Sequence, residues 1–182
     1  MRSLLGHPVI RFFVAAILLF VFWLLIYEVW LHPKGNLDKW IISQIIYQAG
    51  LILQAFGYEL MREFPFDENF RTLGIDGGHS IWVGDPCNGL ELFALFAGFI
   101  IAYPGRWLNK LIIIPIGILA IHILNVLRVA ALAAIVYYNP DLLQFNHTYT
   151  FTILVYSAVF ILWYFWSTRW SNFDFKQKFS VS

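Results

Sequence analysis

Four stretches of this chain carry little charge over lengths that match or approach a bilayer crossing: Phe12 to Leu31, Leu90 to Tyr103, Leu111 to Tyr138 and Phe151 to Trp166. Lipid offers no partner for backbone N–H and C=O groups, so such runs must close their own hydrogen bonds as helices. About 20 residues rising about 1.5 Å each cover the roughly 30 Å hydrocarbon core. The rest of the chain is in keeping: 60% of its residues are hydrophobic, 13% are charged and the mean hydropathy is +0.68, beyond what a soluble domain carries. A formal net charge of +1 without a Lys/Arg cluster excludes a nucleic-acid surface. No repeat or linker divides the sequence, which reads as one membrane domain over 1–182.

The first run follows Arg2 and Arg11, as a secretory signal would. It is long enough to span, though, and ends in Trp30-Leu31-His32-Pro33 without small residues for cleavage, so we read it as a permanent span. The segment at about 37–57 is long enough to cross but carries Asp38, Lys39, Ser43, Gln44, Gln48 and Gln54. Gln44 and Gln48 share a helical face, which suits a helix lying in the interface. That reading also puts Arg2, Arg11, the turn at Arg106 and Lys110, and the tail with Arg169, Lys176 and Lys178 on the cytoplasmic side. The expected fold is therefore an all-α polytopic protein of the inner (plasma) membrane with both termini cytoplasmic. Its four transmembrane helices lie at about 12–31, 88–104, 111–138 and 150–167. Tryptophans 23, 30, 82, 107, 163, 166 and 170 read mostly as interfacial anchors.

Residues 72–83 alternate around Asp76-Gly77-Gly78, which predicts a short extracytoplasmic β-hairpin, outside the lipid or packed on protein. The hairpin leads to the single cysteine, Cys87, in Asp85-Pro86-Cys87-Asn88-Gly89, at the mouth of the second span. Counting depth along the helices puts Arg128 near the outer end of the third span. Asn139-Pro140 breaks that span, and the following loop presents His147 at the head of the fourth. Cys87, Arg128 and His147 thus arrive at one level from three segments. A thiolate at a helix N-terminus beside a cation is a nucleophile, His147 can take and return a proton, and Arg128 can stabilise an oxyanion. This chemistry is acyl transfer through a thioester.

Asp85 is a candidate N-cap, and Gly89 helps to mark the helix start. Asn125, one turn before Arg128, is placed to hold the guanidinium. Glu91 complements the helix terminus or orients Arg128 or His147, although its charge opposes a thiolate. His122 reads as a hydrogen-bonded packing group and His79 as an alternative base. Each residue alone also has an ordinary reading: packing for Cys87, snorkelling for Arg128, a solvated loop for His147.

Cys87-Asn88-Gly89 entering a span, Asn125-Val126-Leu127-Arg128-Val129 near the end of a later one, and His147 heading the last together resemble the exosortase/archaeosortase family of membrane transpeptidases. The similarity covers about Trp82 to Trp166, and this chain has fewer N-terminal spans than the larger members. The resemblance implies an enzyme that cleaves a C-terminal sorting signal on membrane-anchored protein substrates at the extracytoplasmic face and passes the acyl group to an acceptor lipid or envelope molecule. It implies Cys87 as nucleophile, His147 as acid/base and Arg128 as stabilising cation. No cofactor and no metal are expected, since Cys87, His79 and His147 lack a ligand spacing. The alternative is a non-catalytic membrane scaffold or assembly protein with Cys87 as a packing residue. A thiol-redox role would need an intermolecular disulfide, as no second cysteine exists.

Overall fold

The computed structural model describes residues 8–61 and 71–171. It is mostly helical, with α1 (Val9–Lys34), α2 (Asn36–Ala55), α3 (Leu90–Ala102), α4 (Trp107–Tyr138) and α5 (Leu142–Trp170), plus strands β1 (Thr72–Gly74) and β2 (Ser80–Trp82). Among the described residues, α1, α4 and α5 are long and apolar enough to cross a membrane, which makes this a multi-pass membrane protein. Three of the four expected spans meet that length. α3 is apolar but has 13 residues, about 20 Å of rise, less than the hydrocarbon thickness.

α1 packs against α3, and none of its most apolar window is buried, as expected of a helix facing lipid. Its end widens into a π-helical turn, Tyr27–Leu31. Gly35, at φ 63°, then takes the left-handed conformation that ends one helix and admits the next.

α2 buries Asp38, Ile41, Ile42, Ile45, Ala49 and Leu53, a three-and-four spacing that makes one continuous face. That face lies on α4, where Val126, Val129, Ala130 and Ala133 are buried. His122, near the middle of α4, bonds Gln48 of α2 at 2.9 Å, so it is the hydrogen-bonded packing group its position suggested. Where an interfacial helix at 37–57 was expected, the chain forms a helix, Asn36–Ala55, packed on α4. Its exposed face carries Trp40, Tyr47 and Leu51.

β1 and β2 pair antiparallel with Thr72 opposite Trp82, around a turn in which Gly77 has φ 79°. The hairpin rests on protein: Leu73, Ile75, Ile81 and Val83 are buried in the core shared with α2 and α4. A third extended piece, unanticipated from sequence, covers one edge. Leu60 bridges Ile75, and Met61 N–H donates to Gly74 O at 3.0 Å. Tyr58 OH, beyond the end of α2, meets Tyr138 OH at 2.8 Å.

At the opposite end of the bundle, Asn109 Nδ2 donates to Trp170 O at 2.8 Å and Lys110 Nζ to Ile101 O at 2.7 Å. These bonds bring the end of α3, the start of α4 and the end of α5 to one level. Trp166 is fully buried there rather than anchoring in an interface. Above it Phe96, also fully buried, lays its ring over Gly117 of α4, where an added Cβ would stand 2.1 Å from Cε1. Gly117→Val therefore forces this core apart and is expected to cost about 1–3 kcal/mol. Thermal melting of the solubilised protein checks this, and an unchanged midpoint would show that Phe96 is not seated on Gly117.

One sequence expectation fails in detail. The chain after Asn139-Pro140 turns back at once, with Asp141 N–H bonded to Asn139 Oδ1 at 3.1 Å, and is helical from Leu142. Residues 142–149 are thus the first turns of α5 rather than a loop, since the turn itself needs only Asn139 to Asp141. A π-helical turn, Asn146–Thr150, carries His147.

Candidate active site

Between β2 and α3 the chain makes one 3₁₀ turn, Asp85–Cys87, in which the Cys87 N–H donates to Gly84 O at 2.9 Å. Pro86 suits the first turn of such a helix. The Asp85 carboxylate does not cap α3. It pairs with Arg71 at 2.5 Å and ties the turn to the foot of the hairpin. Asn88 instead meets the first N–H of α3: its Oδ1 accepts from Leu90 N–H at 2.8 Å in a local side-chain turn. Gly89 then holds φ 82°, a conformation that strains any residue with a Cβ.

The turn is fastened on both sides. From α4, Asn125 is buried and donates from Nδ2 to the Cys87 carbonyl at 2.6 Å, so it serves the cysteine turn rather than Arg128. From α2, the fully buried Asp38 accepts from Asn88 Nδ2 at 2.5 Å and from Tyr27 OH at 2.8 Å. Neither bond was visible in the sequence, where Asp38 counted only as one of the polar residues that set the 37–57 segment apart from a span.

Cys87 is partly exposed, and its Sγ lies 3.6 Å from His147 Nε2, within the reach of a hydrogen bond to sulfur. The π-helical turn of α5 sets the imidazole toward the thiol, and Thr152 Oγ1 donates to the His147 carbonyl at 3.3 Å. The Arg128 guanidinium is near enough to the ring for their charges to interact. Arg128 also lines a cavity of about 520 Å³ beside the cysteine turn, together with Tyr27, His32, Asn88, Gly89 and Glu91. Its Nε is buried there without a hydrogen-bond partner among the described residues. Glu91 shares the cavity, yet no ion pair within 4.0 Å joins it to Arg128 among the described residues. His79 is exposed on the hairpin beside Gly78, which packs against Tyr137, and the imidazole that meets Cys87 is that of His147.

A thiol, an imidazole at hydrogen-bonding distance and a cation beside a cavity are the parts needed for covalent acyl transfer. No group of three or more His, Cys, Asp or Glu suited to a metal occurs among the described residues. The fold and this site define a polytopic helical membrane protein with a Cys–His pair set at a helix mouth. The family model described as transmembrane exosortase matches residues 2–169, and the chain belongs to that family. Neither a curated protein nor a solved structure matches the chain. Family membership supports a membrane transpeptidase role in general.

Proposed function

We propose that this protein is a membrane-embedded cysteine transpeptidase that cleaves C-terminal sorting signals of exported, membrane-anchored proteins at the outer face of the plasma membrane. The observation that carries the reading is the 3.6 Å approach of Cys87 Sγ to His147 Nε2. His147 takes the thiol proton as sulfur attacks the scissile carbonyl carbon, and the oxyanion that forms is held by Arg128. The C–N bond breaks as His147 returns the proton to the leaving amine, which leaves an acyl thioester on Cys87. An acceptor amine, or water, then attacks the thioester, and the thiol is regenerated. Gly89, Asn125 and Asn88 support the nucleophile, while Glu91 shapes the cavity that receives the substrate.

Depth supports the outer-face assignment. Asn125, level with Cys87, lies about 27 Å along α4 from Trp107, close to the thickness of the hydrocarbon core. In this reading α3 completes a fourth crossing, and α2 with the hairpin covers the outer ends of the bundle from the interface. Both termini then lie in the cytoplasm.

The decisive experiment is to trap the acyl-enzyme and identify, by mass spectrometry, a cellular protein in thioester linkage to Cys87. An adduct at any other residue, or none under conditions where precursor is being processed, overturns the mechanism. A membrane-impermeant thiol reagent should label Cys87 in intact cells; labelling confined to inverted vesicles would place the site on the cytoplasmic side. Arg128→Lys keeps the charge but loses the planar fork, and processing is expected to fall about 10²–10³-fold. Wild-type rates in that variant would remove Arg128 from the oxyanion.

A further inference from the structure

We propose that Asp38 is a positioning residue that sets the Cys87 turn through Asn88. The inference rests on the reading of Cys87 as the nucleophile. Asp38 sits in the first turn of α2, fifty residues from Asn88, with no exposed surface. Its Oδ1 accepts from Asn88 Nδ2 at 2.5 Å and from Tyr27 OH at 2.8 Å, and its Oδ2 lies 3.6 Å from His32 Nδ1.

A carboxylate can only accept, so it dictates which end of a neighbouring amide faces it. With the Asn88 amide nitrogen drawn to Asp38, the Asn88 oxygen is turned the other way, onto Leu90 N–H at 2.8 Å. Asp38 therefore selects the rotamer that meets the first N–H of α3, at the residue following left-handed Gly89. Cys87, one residue before Asn88, is pinned by its own carbonyl to Asn125. The thiol is thus carried on a turn held at Asp85 by Arg71, at the Cys87 carbonyl by Asn125 and at Asn88 by Asp38.

Burying a carboxylate is costly unless its oxygens are met by donors. Here both donors, Tyr27 from α1 and Asn88 from the cysteine turn, meet Oδ1, while Oδ2 is buried without a hydrogen-bond partner among the described residues, 3.6 Å from His32 Nδ1. Asp38 joins three segments distant in sequence at the edge of the cavity that Tyr27, His32 and Asn88 help to line. A misplacement of about 1 Å at a reacting atom can lower a rate about 10²-fold.

The test uses the full-length protein in lipid, with three readouts: the alkylation rate of Cys87 by a small maleimide, kcat and KM for precursor processing, and the thermal midpoint. Asp38→Asn lets the side chain present an amide where only an acceptor fits. It should change Cys87 alkylation severalfold and lower kcat about 10–100-fold while KM stays within twofold. In an Asn88→Ala background the same substitution should produce no further change, because the pair acts as one unit. Effects that simply add overturn the proposal. So does a lowered midpoint with alkylation and kcat per folded enzyme as in the wild type, which is what a purely structural role gives. If Asp38→Asn does not accumulate, Tyr27→Phe, which removes one donor to the same oxygen, is judged by the same criteria. Alkylation needs no turnover. Processing that persists in Cys87→Ala would defeat the enzymatic reading, while the alkylation comparison still decides on Asp38.

Discussion

Cys87→Ala is expected to bring precursor processing down to the detection limit, a fall on the order of 10⁶-fold as for loss of the nucleophile in a covalent protease, while the protein still accumulates in the membrane. The two halves of that outcome have separate causes. Cys87 is partly exposed and borders the core without filling it, so removing one sulfur atom costs little packing. The backbone of the turn keeps its fastenings, because Asn125 holds the Cys87 carbonyl rather than the side chain. Only the attacking atom is lost. Immunoblotting of precursor and product, with the enzyme quantified in the same membranes, makes the measurement. Processing at the wild-type rate would leave the scaffold reading in possession of the chain.

His147→Ala should have the second-largest effect, about 10²–10⁴-fold, the range a positioned general acid–base supplies. The thiol keeps its place in this variant and loses the imidazole 3.6 Å away, which the proposed mechanism uses as its base. Cys87 alkylation should therefore slow in parallel with processing. His79→Ala, on the exposed hairpin, should leave both rates unchanged. If the pattern were reversed, with His79 required and His147 dispensable, the base would have to be reassigned.

The membrane class and the hairpin were legible because each rests on a local pattern. Apolar runs demand helices in lipid, and alternation about Asp76-Gly77-Gly78 demands a tight antiparallel turn. The meeting of Cys87 with His147 was legible from depth, since rise per residue converts sequence position into height once the direction of each span is guessed. Contacts made sideways were not. Gln48 meets His122 and Asp38 meets Asn88 because α2 lays one face on α4, and a helical period shows that a face exists without naming what it covers. Asp38 was one of the polar residues that made its segment read as interfacial, whereas it is fully buried against Asn88 and Tyr27. Asp85 was the expected cap, yet Asn88 is the residue that meets the first N–H of α3. Either can cap a helix, and Arg71, arriving from the hairpin, claimed the carboxylate.

The shortness of α3 bears on substrates. Its lower end is level with the start of α4 and the end of α5, yet it rises about 20 Å while they rise about 48 and 44 Å. The cysteine turn therefore stands well below the upper end of α4, which runs on from Asn125 to Tyr138, about 20 Å, whereas α5 begins only five residues before His147. With Cys87 read as the nucleophile, a peptide bond has to be presented at that height beside α4, and the stretch of chain between it and a membrane anchor has to match. Lengthening or shortening that spacer, with the motif itself untouched, is expected to slow processing.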